Sequence, residues 1–259
     1  MIKRVANLDR SLSHVRGGDV ADLARAFVDC LAAIGFAGVP DAEAPVVDPA
    51  DVDDVVARSS ALGQLQRVAP WLDSGPTGPD SGHVWIATTR PPWRPAGHPR
   101  PRRDHFTSPA LLNDEQLVGR PIGAGLHTSS SSREYLGMWS SFLDLFSDGV
   151  LWGRPWTAWR LSTARPLAVA QITGAQDWAA LVQQHGTVRA DFLHPDWASM
   201  TSAYDAVHVT PTAVCAIEGL ALETSAGVIR PMYWSVESTL WLRWCFDSVK
   251  RVAEWPGPP

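Results

Sequence analysis

The sequence is poor in the features that mark membrane, secreted and metal-binding proteins. It contains no run approaching the roughly 18 apolar residues of a transmembrane helix, so no membrane span is expected. Its first residues lack the apolar segment of a signal peptide, and we therefore expect a cytoplasmic protein. The cysteines Cys30, Cys215 and Cys245 show no CxxC spacing, which argues against a zinc site or a disulfide framework and predicts buried thiols.

Common nucleotide-binding and hydrolase motifs are also missing. There is no GxGxxG or Walker loop, so a Rossmann or P-loop site is not expected. Asp205 and His208 lie close together in the sequence, but no GxSxG elbow and no metal-ligand spacing accompanies them. A catalytic triad or a metalloenzyme is therefore not expected. The net charge of −5 provides no overall attraction to nucleic acid.

Tryptophan is abundant, with 13 residues against 3 tyrosines and 7 phenylalanines. Most of these indoles are expected in the core, because each buries a large area while its N–H needs a single partner. A second local feature is the segment 90–103, where five arginines alternate with prolines. That basic segment keeps nucleic acid open as a partner, in which case binding should weaken steeply with salt.

Hydrophobic periodicity predicts an α+β fold. Helical spacing predicts one helix over residues 18–37 and a second that begins near Pro49. β-Branched and aromatic runs predict strands at 83–90 and 233–244, with further strands and short helices between them.

A loop rich in glycine, proline and aspartate separates two regions of different character. We expect a small helical lobe at residues 1–76 and a larger domain of strands and short helices at residues 83–259.

The segment 233–244, YWSVESTLWLRW, places a carboxylate inside an apolar run. Read as a strand with period two, it carries Glu237 on a polar face together with Ser235 and Arg243, opposite an apolar face. A carboxylate so placed either projects into a cleft as a catalytic group or is solvated beside an arginine. The segment alone leaves both interpretations open.

Three segments, taken in order, resemble the NAD-dependent mono-ADP-ribosyltransferase superfamily. TRPP in HVWIATTRPPW (83–93) is similar to the first core strand of toxin relatives. RPIGAGLHTSSSS (120–132), with tryptophans after it, resembles the serine motif of the second core strand. SVEST (235–239) stands in the place of the strand with the catalytic glutamate. Over residues 83–250, the resemblance implies split mixed or antiparallel sheets with flanking helices.

The resemblance also implies roles for individual residues. Glu237 is expected to bind a ribose hydroxyl and to stabilise the oxocarbenium-like centre formed when the nicotinamide–ribose bond of NAD breaks. Arg90 is expected to hold the pyrophosphate through bidentate hydrogen bonds. Ser129 is expected in the catalytic set with Glu237 and Arg90, and its hydroxyl, like those of Thr128 and Ser130, is expected to position the glutamate or the nicotinamide ribose. The residues expected to contact NAD, which is the substrate, are Arg90, His127, Thr128, Ser130, Trp139 and Ser235.

The sequence departs from the family pattern at three positions. Ser235 stands where many members carry a Glu or Gln that helps to select the acceptor, which favours another acceptor or water, as in an NAD glycohydrolase. Ile86 stands in place of the toxins' phosphate-binding arginine, which leaves Arg90 as its substitute. His127 replaces an aromatic residue before the serines. The acceptor (protein, nucleic acid or small molecule) stays open, as does a non-catalytic module of the same fold that binds NAD or nucleic acid.

Overall fold

The computed structural model describes residues 2–13, 15, 19–35, 44–77, 82–88, 100–111, 121, 124–145, 154–163 and 165–255. Helices and strands alternate along these residues, and the strands form two mixed sheets, which confirms the expected α+β fold. The helices are α1 (Ile2–Ser13), α2 (Val20–Gly35), α3 (Pro49–Val56), α4 (Ser60–Val68), α5 (Trp71–Ser74), α6 (Met138–Leu145), α7 (Ala175–Gln184), α8 (Trp197–Ala203) and α9 (Pro211–Ile217).

Local capping explains where several of these helices begin. The prediction of a helix over 18–37 is confirmed by α2. The helix predicted from Pro49 onward is instead three short helices. Asp48 caps α3 by accepting from the amide of Ala50, and Ser59 starts α4 by accepting from the amide of Leu62.

The strands form two sheets. They are β1 (Val46–Val47), β2 (Gly82–Thr88), β3 (Leu126–Ser131), β4 (Trp156–Thr163), β5 (Val169–Ile172), β6 (Gly186–Arg189), β7 (Phe192–Pro195), β8 (Ala206–Val209), β9 (Ala221–Thr224), β10 (Gly227–Ile229), β11 (Ser238–Trp241) and β12 (Phe246–Trp255). The smaller sheet has the order β1-β9-β10-β7-β6, and the larger has the order β12-β4-β2-β3-β11-β8-β5.

The larger sheet separates two environments. Residues of alternate parity, such as Val84, Val207 and Leu240, face the main apolar core. The opposite face carries a smaller apolar cluster that includes Trp241 and Phe246. Because the side-chain period is two, polar residues on that second face become neighbours across several strands.

One strand prediction needs correction. The predicted strand 233–244 is limited to β11, because a bend occupies the residues before Ser238. The serines 129–131 lie within the buried strand β3, and Ser132 lies just outside it. The prediction of buried cysteines is confirmed, and none of the three is in a disulfide.

The N-terminal helices are joined to the rest of the chain by polar capping as well as by apolar packing. Gly174 precedes α7 and has no side chain to cap that helix. The carboxylate of Asp53 on α3 takes this role, accepting from the amides of Ala175 at 2.6 Å and Gln176 at 2.9 Å. β1 also pairs with β9. The division at residues 1–76 and 83–259 stays a prediction.

Replacing Asp53 with alanine should lower the free energy of unfolding by about 1 kcal/mol, the usual cost of losing an N-cap. Asp54→Ala is the matched control, because the neighbouring Asp54 is exposed on the same helix and makes no comparable contact among the described residues. Urea unfolding of both variants measures the difference. Equal stabilities would show that Asp53 does not cap α7.

Candidate active site

A row of polar side chains crosses the second face of the larger sheet. Strand register places opposite residues on the same face: His83 opposite Ser130, Thr128 opposite Thr239, and His208 opposite both Thr239 and Gln171. We call this row the polar strip; it consists of His83, Thr128, Ser130, Gln171, His208 and Thr239. All but Gln171 are buried. Buried polar groups in such number require an account of their hydrogen bonds.

Glu237 lies at one end of β11, directly beside the strip. Its carboxylate accepts hydrogen bonds from the main-chain N–H of Ser130, at 3.1 Å to Oε1 and 3.3 Å to Oε2. The Ser129 hydroxyl donates to the main-chain carbonyl of Glu237 at 3.3 Å and accepts from the amide of Trp139 at 2.9 Å. The serine strand therefore fixes both the main chain and the carboxylate of this glutamate.

The expectation that Glu237 projects from a polar strand face into a cleft is wrong. Its side chain is 0% exposed. Arg243, the suggested partner of a solvated carboxylate, instead pairs with Asp205 at 3.4 Å. The period-two rule itself holds, because Glu237 lies on the same face as Thr239 and His208. It does not predict exposure, because residues from elsewhere in the chain cover that face. A bend at Ser235, with φ +69°, lies just before Glu237.

A second buried carboxylate produces that bend. Oε2 of Glu218 accepts from the amides of Trp234 at 2.8 Å and Ser235 at 3.1 Å. Binding both amides at one oxygen holds the chain in a turn just before Glu237. Ser235 thus contributes its main chain to the site. Its side chain is half-buried.

His208 is the closest titratable neighbour of Glu237. Its Nε2 lies 3.0 Å from the carbonyl oxygen of Leu72, which can only accept, so Nε2 carries the proton. Nδ1 is then an acceptor for the Thr239 hydroxyl at 2.9 Å, and it lies 3.7 Å from Oε1 of Glu237. Burial lowers the pKa of His208 to about 4, so the ring is neutral near pH 7.

Burial also controls the charge of the two other members of this cluster. It raises the pKa of Glu237 to about 8, against the lowering effect of the Ser130 amide, so the acid is mostly protonated at neutral pH. Burial, with a smaller contribution from the nearby His208, lowers the pKa of His83 to about 3. The 3.7 Å approach of His208 to Glu237 is therefore a contact between neutral groups, and not an ion pair.

Sequence reasoning missed the two histidines. His83 lies near the start of β2, and its ring packs edge-on against Trp241 with centroids 5.1 Å apart. His208 was considered only as a partner of Asp205, which binds Arg165 instead. The available signal was the alternation of AVHV, which places His208 on one strand face, but not the register that brings it to Glu237.

The remaining expected site residues lie at different distances from this cluster. Thr128 accepts from the indole N–H of Trp241 at 2.8 Å. His127, one residue earlier, lies on the other face of β3, with Nε2 3.5 Å from the carbonyl of Pro121. The Trp139 indole stacks on Phe142, with centroids 4.8 Å apart, so only its amide reaches Ser129. Arg90 lies outside the described residues.

An open cavity of about 280 Å³ lies elsewhere, between α2, α6, β4 and β12. Its walls include Asp22, Ser140, Tyr135, Trp156 and Trp255. None of its lining residues belongs to the polar strip, although the charge of Glu237 contributes to the raised pKa of Tyr135, one of those residues.

Comparisons with known proteins do not supply an identity. No family model, no curated protein and no solved structure matches the chain. Across the described ranges, no group of three or more His, Cys, Asp or Glu side chains is arranged to hold a metal ion. No helix in those ranges is long and apolar enough to cross a membrane.

The raised pKa of Glu237 predicts a specific dependence of stability on pH. Between its unfolded value near 4.5 and its folded value near 8, the folded state holds a proton that the unfolded state has lost, so stability falls as pH rises. His83 and His208 contribute the opposite slope, which fades as pH rises past their unfolded value of 6.5. From pH 6.5 to 8, titration of Glu237 alone should remove about 1.6 kcal/mol of unfolding free energy.

Urea unfolding at several pH values in this window measures that decline. Glu237→Gln keeps the shape and removes the titration, so its curve should be flatter than the wild-type curve by this amount. Glu223→Gln, an exposed glutamate on β9, should retain the wild-type slope. Parallel curves for all three proteins would contradict a raised pKa at Glu237.

Proposed function

We propose that the chain is an NAD-dependent ADP-ribosyltransferase with Glu237 as its catalytic carboxylate. The observation that carries the proposal is the order β2-β3-β11 in the larger sheet, with Glu237 held by the main chain of Ser130. The three segments of the sequence resemblance are far apart in the chain. Their strands are direct neighbours, which is what a shared NAD site requires of them.

The proposed reaction begins with cleavage of the bond between ribose C1′ and the nicotinamide nitrogen. Nicotinamide leaves with the bonding electron pair, and an oxocarbenium-like centre forms at C1′. The acceptor then attacks C1′ and loses a proton. A carboxylate beside the ribose stabilises the developing positive charge and accepts a hydrogen bond from a ribose hydroxyl.

The protonation state of Glu237 fits this chemistry only when substrate is present. In the closed site the carboxyl is protonated near pH 7 because burial raises its pKa. The nicotinamide ring of NAD carries a positive charge, and an adjacent cation favours the ionised carboxylate. NAD binding is therefore expected to lower the pKa of Glu237 and release its proton. The negative carboxylate that the reaction needs would then form only when the substrate is bound.

Ser129 would act as a positioning residue in this scheme, because its hydroxyl holds the main chain of Glu237. Thr128 and Ser130 would line the same face. For the pyrophosphate, the resemblance assigns Arg90, whose surroundings are not described. The polar strip itself contains no Lys or Arg side chain.

Glu237→Gln should reduce nicotinamide release from NAD by about 10²- to 10³-fold, the usual loss when a preorganised charge-stabilising group is removed. The measurement is release of nicotinamide by purified wild type, Glu237→Gln and the control Glu223→Gln. Equal rates in the three proteins would remove Glu237 from catalysis.

Water as the acceptor is a second candidate, which would make the chain an NAD glycohydrolase. Ser235 favours it, because this position carries no carboxylate or amide side chain to bind an acceptor, and its amide is already bound to Glu218. The ratio of free ADP-ribose to nicotinamide distinguishes the two. A ratio near one without added acceptor supports hydrolysis, whereas a lower ratio with labelled protein or nucleic acid supports transfer.

The complete burial of Glu237 favours a further candidate, a module of this fold that binds NAD without turnover. Calorimetry of wild type with NAD, followed by a nicotinamide assay on the same sample, tests it. Binding without release selects the module. Release dependent on Glu237 selects the enzyme.

A further inference from the structure

Residues 71–77, which comprise α5 and the 3₁₀ turn Gly75–Thr77, lie directly over the polar strip; we call them the cover. The carbonyl oxygen of Leu72 accepts from Nε2 of His208 at 3.0 Å. The carbonyl oxygen of Asp73 accepts from the side-chain amide of Gln171. The Asp73 carboxyl also lies close enough to raise the pKa of Glu237, although less than burial does. The cover thus contacts His208 and Gln171 of the polar strip and lies near Glu237.

Glycine at position 75 allows the main chain of the cover to approach the His208 ring closely. Its backbone has φ +51° and ψ −138°, a conformation that essentially only glycine adopts. A Cβ built there would lie 2.5 Å from Cγ and Cδ2 of His208. Because the His208 ring is fully buried between Thr239 and the Leu72 carbonyl, it has no room to move aside.

The strip is not fully satisfied by the cover. Within the described part of the chain, three buried atoms of the strip have no hydrogen-bond partner: Nδ1 of His83, Oγ of Ser130 and Oε1 of Gln171. Buried polar atoms of folded proteins nearly always have one. In this surface, two donors bind main-chain carbonyls and three further polar atoms bind nothing. It is therefore better suited to a ligand with more polar groups than the cover has.

We propose that the cover is an autoinhibitory segment that occupies the substrate-binding surface of the polar strip. A substrate with several oxygen acceptors must displace it to reach His208, Gln171 and Glu237. The identity of that substrate as NAD rests on the proposed function. Its amide, ribose and phosphate oxygens are of the class that these donors bind.

The cover is held by few interactions. Its α-helical part has four residues, too short to be stable alone, and its hydrogen bonds to the strip involve two carbonyl oxygens. Each hydrogen bond contributes on the order of 1 kcal/mol, and burial of the Leu72 side chain in the core adds about 2–3 kcal/mol. Opening of this segment is therefore expected to cost less than global unfolding.

Gly75→Ala tests the cover directly, because the added Cβ collides with His208 and the backbone is strained. Amide hydrogen exchange in residues 126–131 and 238–241 should become about tenfold faster or more, while exchange in α7 stays unchanged. Gly63→Ala in α4 is the matched control, since its Cβ would meet only Arg67 at 3.6 Å. Unchanged exchange in the two strands of Gly75→Ala would overturn the proposal.

Gln171→Met is a milder second variant that keeps the side-chain volume and removes the donor to Asp73. It guards against general unfolding of Gly75→Ala, and it should accelerate exchange in the same two strands, although by a smaller factor. Normal strand protection in Gln171→Met, if Gly75→Ala unfolds globally, would also overturn the proposal.

Nicotinamide release by the same variants separates this proposal from the proposed function. If the cover is autoinhibitory in an NAD-cleaving enzyme, Gly75→Ala should release nicotinamide faster than wild type at subsaturating NAD. Faster exchange with no release in any protein would keep the cover and remove the NAD-cleaving function. Release that is dependent on Glu237 and not increased in either variant would keep the function and remove the cover.

Discussion

The main-chain amide of Ser130, donating to the Glu237 carboxylate, is the contact around which the site is arranged. A carboxyl group with no exposed surface must find its hydrogen bonds inside the protein, and the end of β11 offers few donors. Ser130 supplies one, and Ser129 fixes the main chain that carries the acid. Even so, burial dominates, and the group keeps its proton to about pH 8. Glu237 is thus a neutral carboxylic acid at pH 7, because its buried surroundings disfavour the charged form.

Two carboxylates divide the work of building this arrangement. Glu218 binds the amides of Trp234 and Ser235 and so creates the bend; Glu237 then leaves the bend pointing at β3. The alternation of Glu237, Thr239 and Trp241 is kept after the bend, so the bend ends the strand without moving Glu237 off its face. Ser235 lies in the left-handed region at this bend. Its local strain is offset by the two hydrogen bonds to Glu218.

The sequence predicted those features that depend on local patterns. Helical periodicity located α2, the apolar composition around Cys215 predicted its burial, and the runs of β-branched residues located β2 and part of β11. The candidate residues Ser129, Ser130 and Glu237 were found through their resemblance to a family pattern. Their contact depends on strand order, which a single sequence does not encode in any short window.

What the sequence failed to predict has one physical origin, contacts between distant segments. His208 touches Glu237 only because β8 pairs with β11, and Glu218 bends the chain sixteen positions downstream. The same holds for burial. Period two correctly assigned Glu237 to a polar face, but that face is covered by residues from far upstream, so polarity did not mean exposure.

The close contact of Gly75 with His208 also affects the ligand concentration that is needed to displace the cover. A blocking segment in the same chain acts as an intramolecular competitor, with an effective concentration set by the short connection and not by dilution. Free ligand competes against that fixed value, and its apparent dissociation constant is the intrinsic one divided by the open fraction. The absence of a Cβ at Gly75 lets the cover close on the strip, and it therefore lowers the apparent affinity for the ligand.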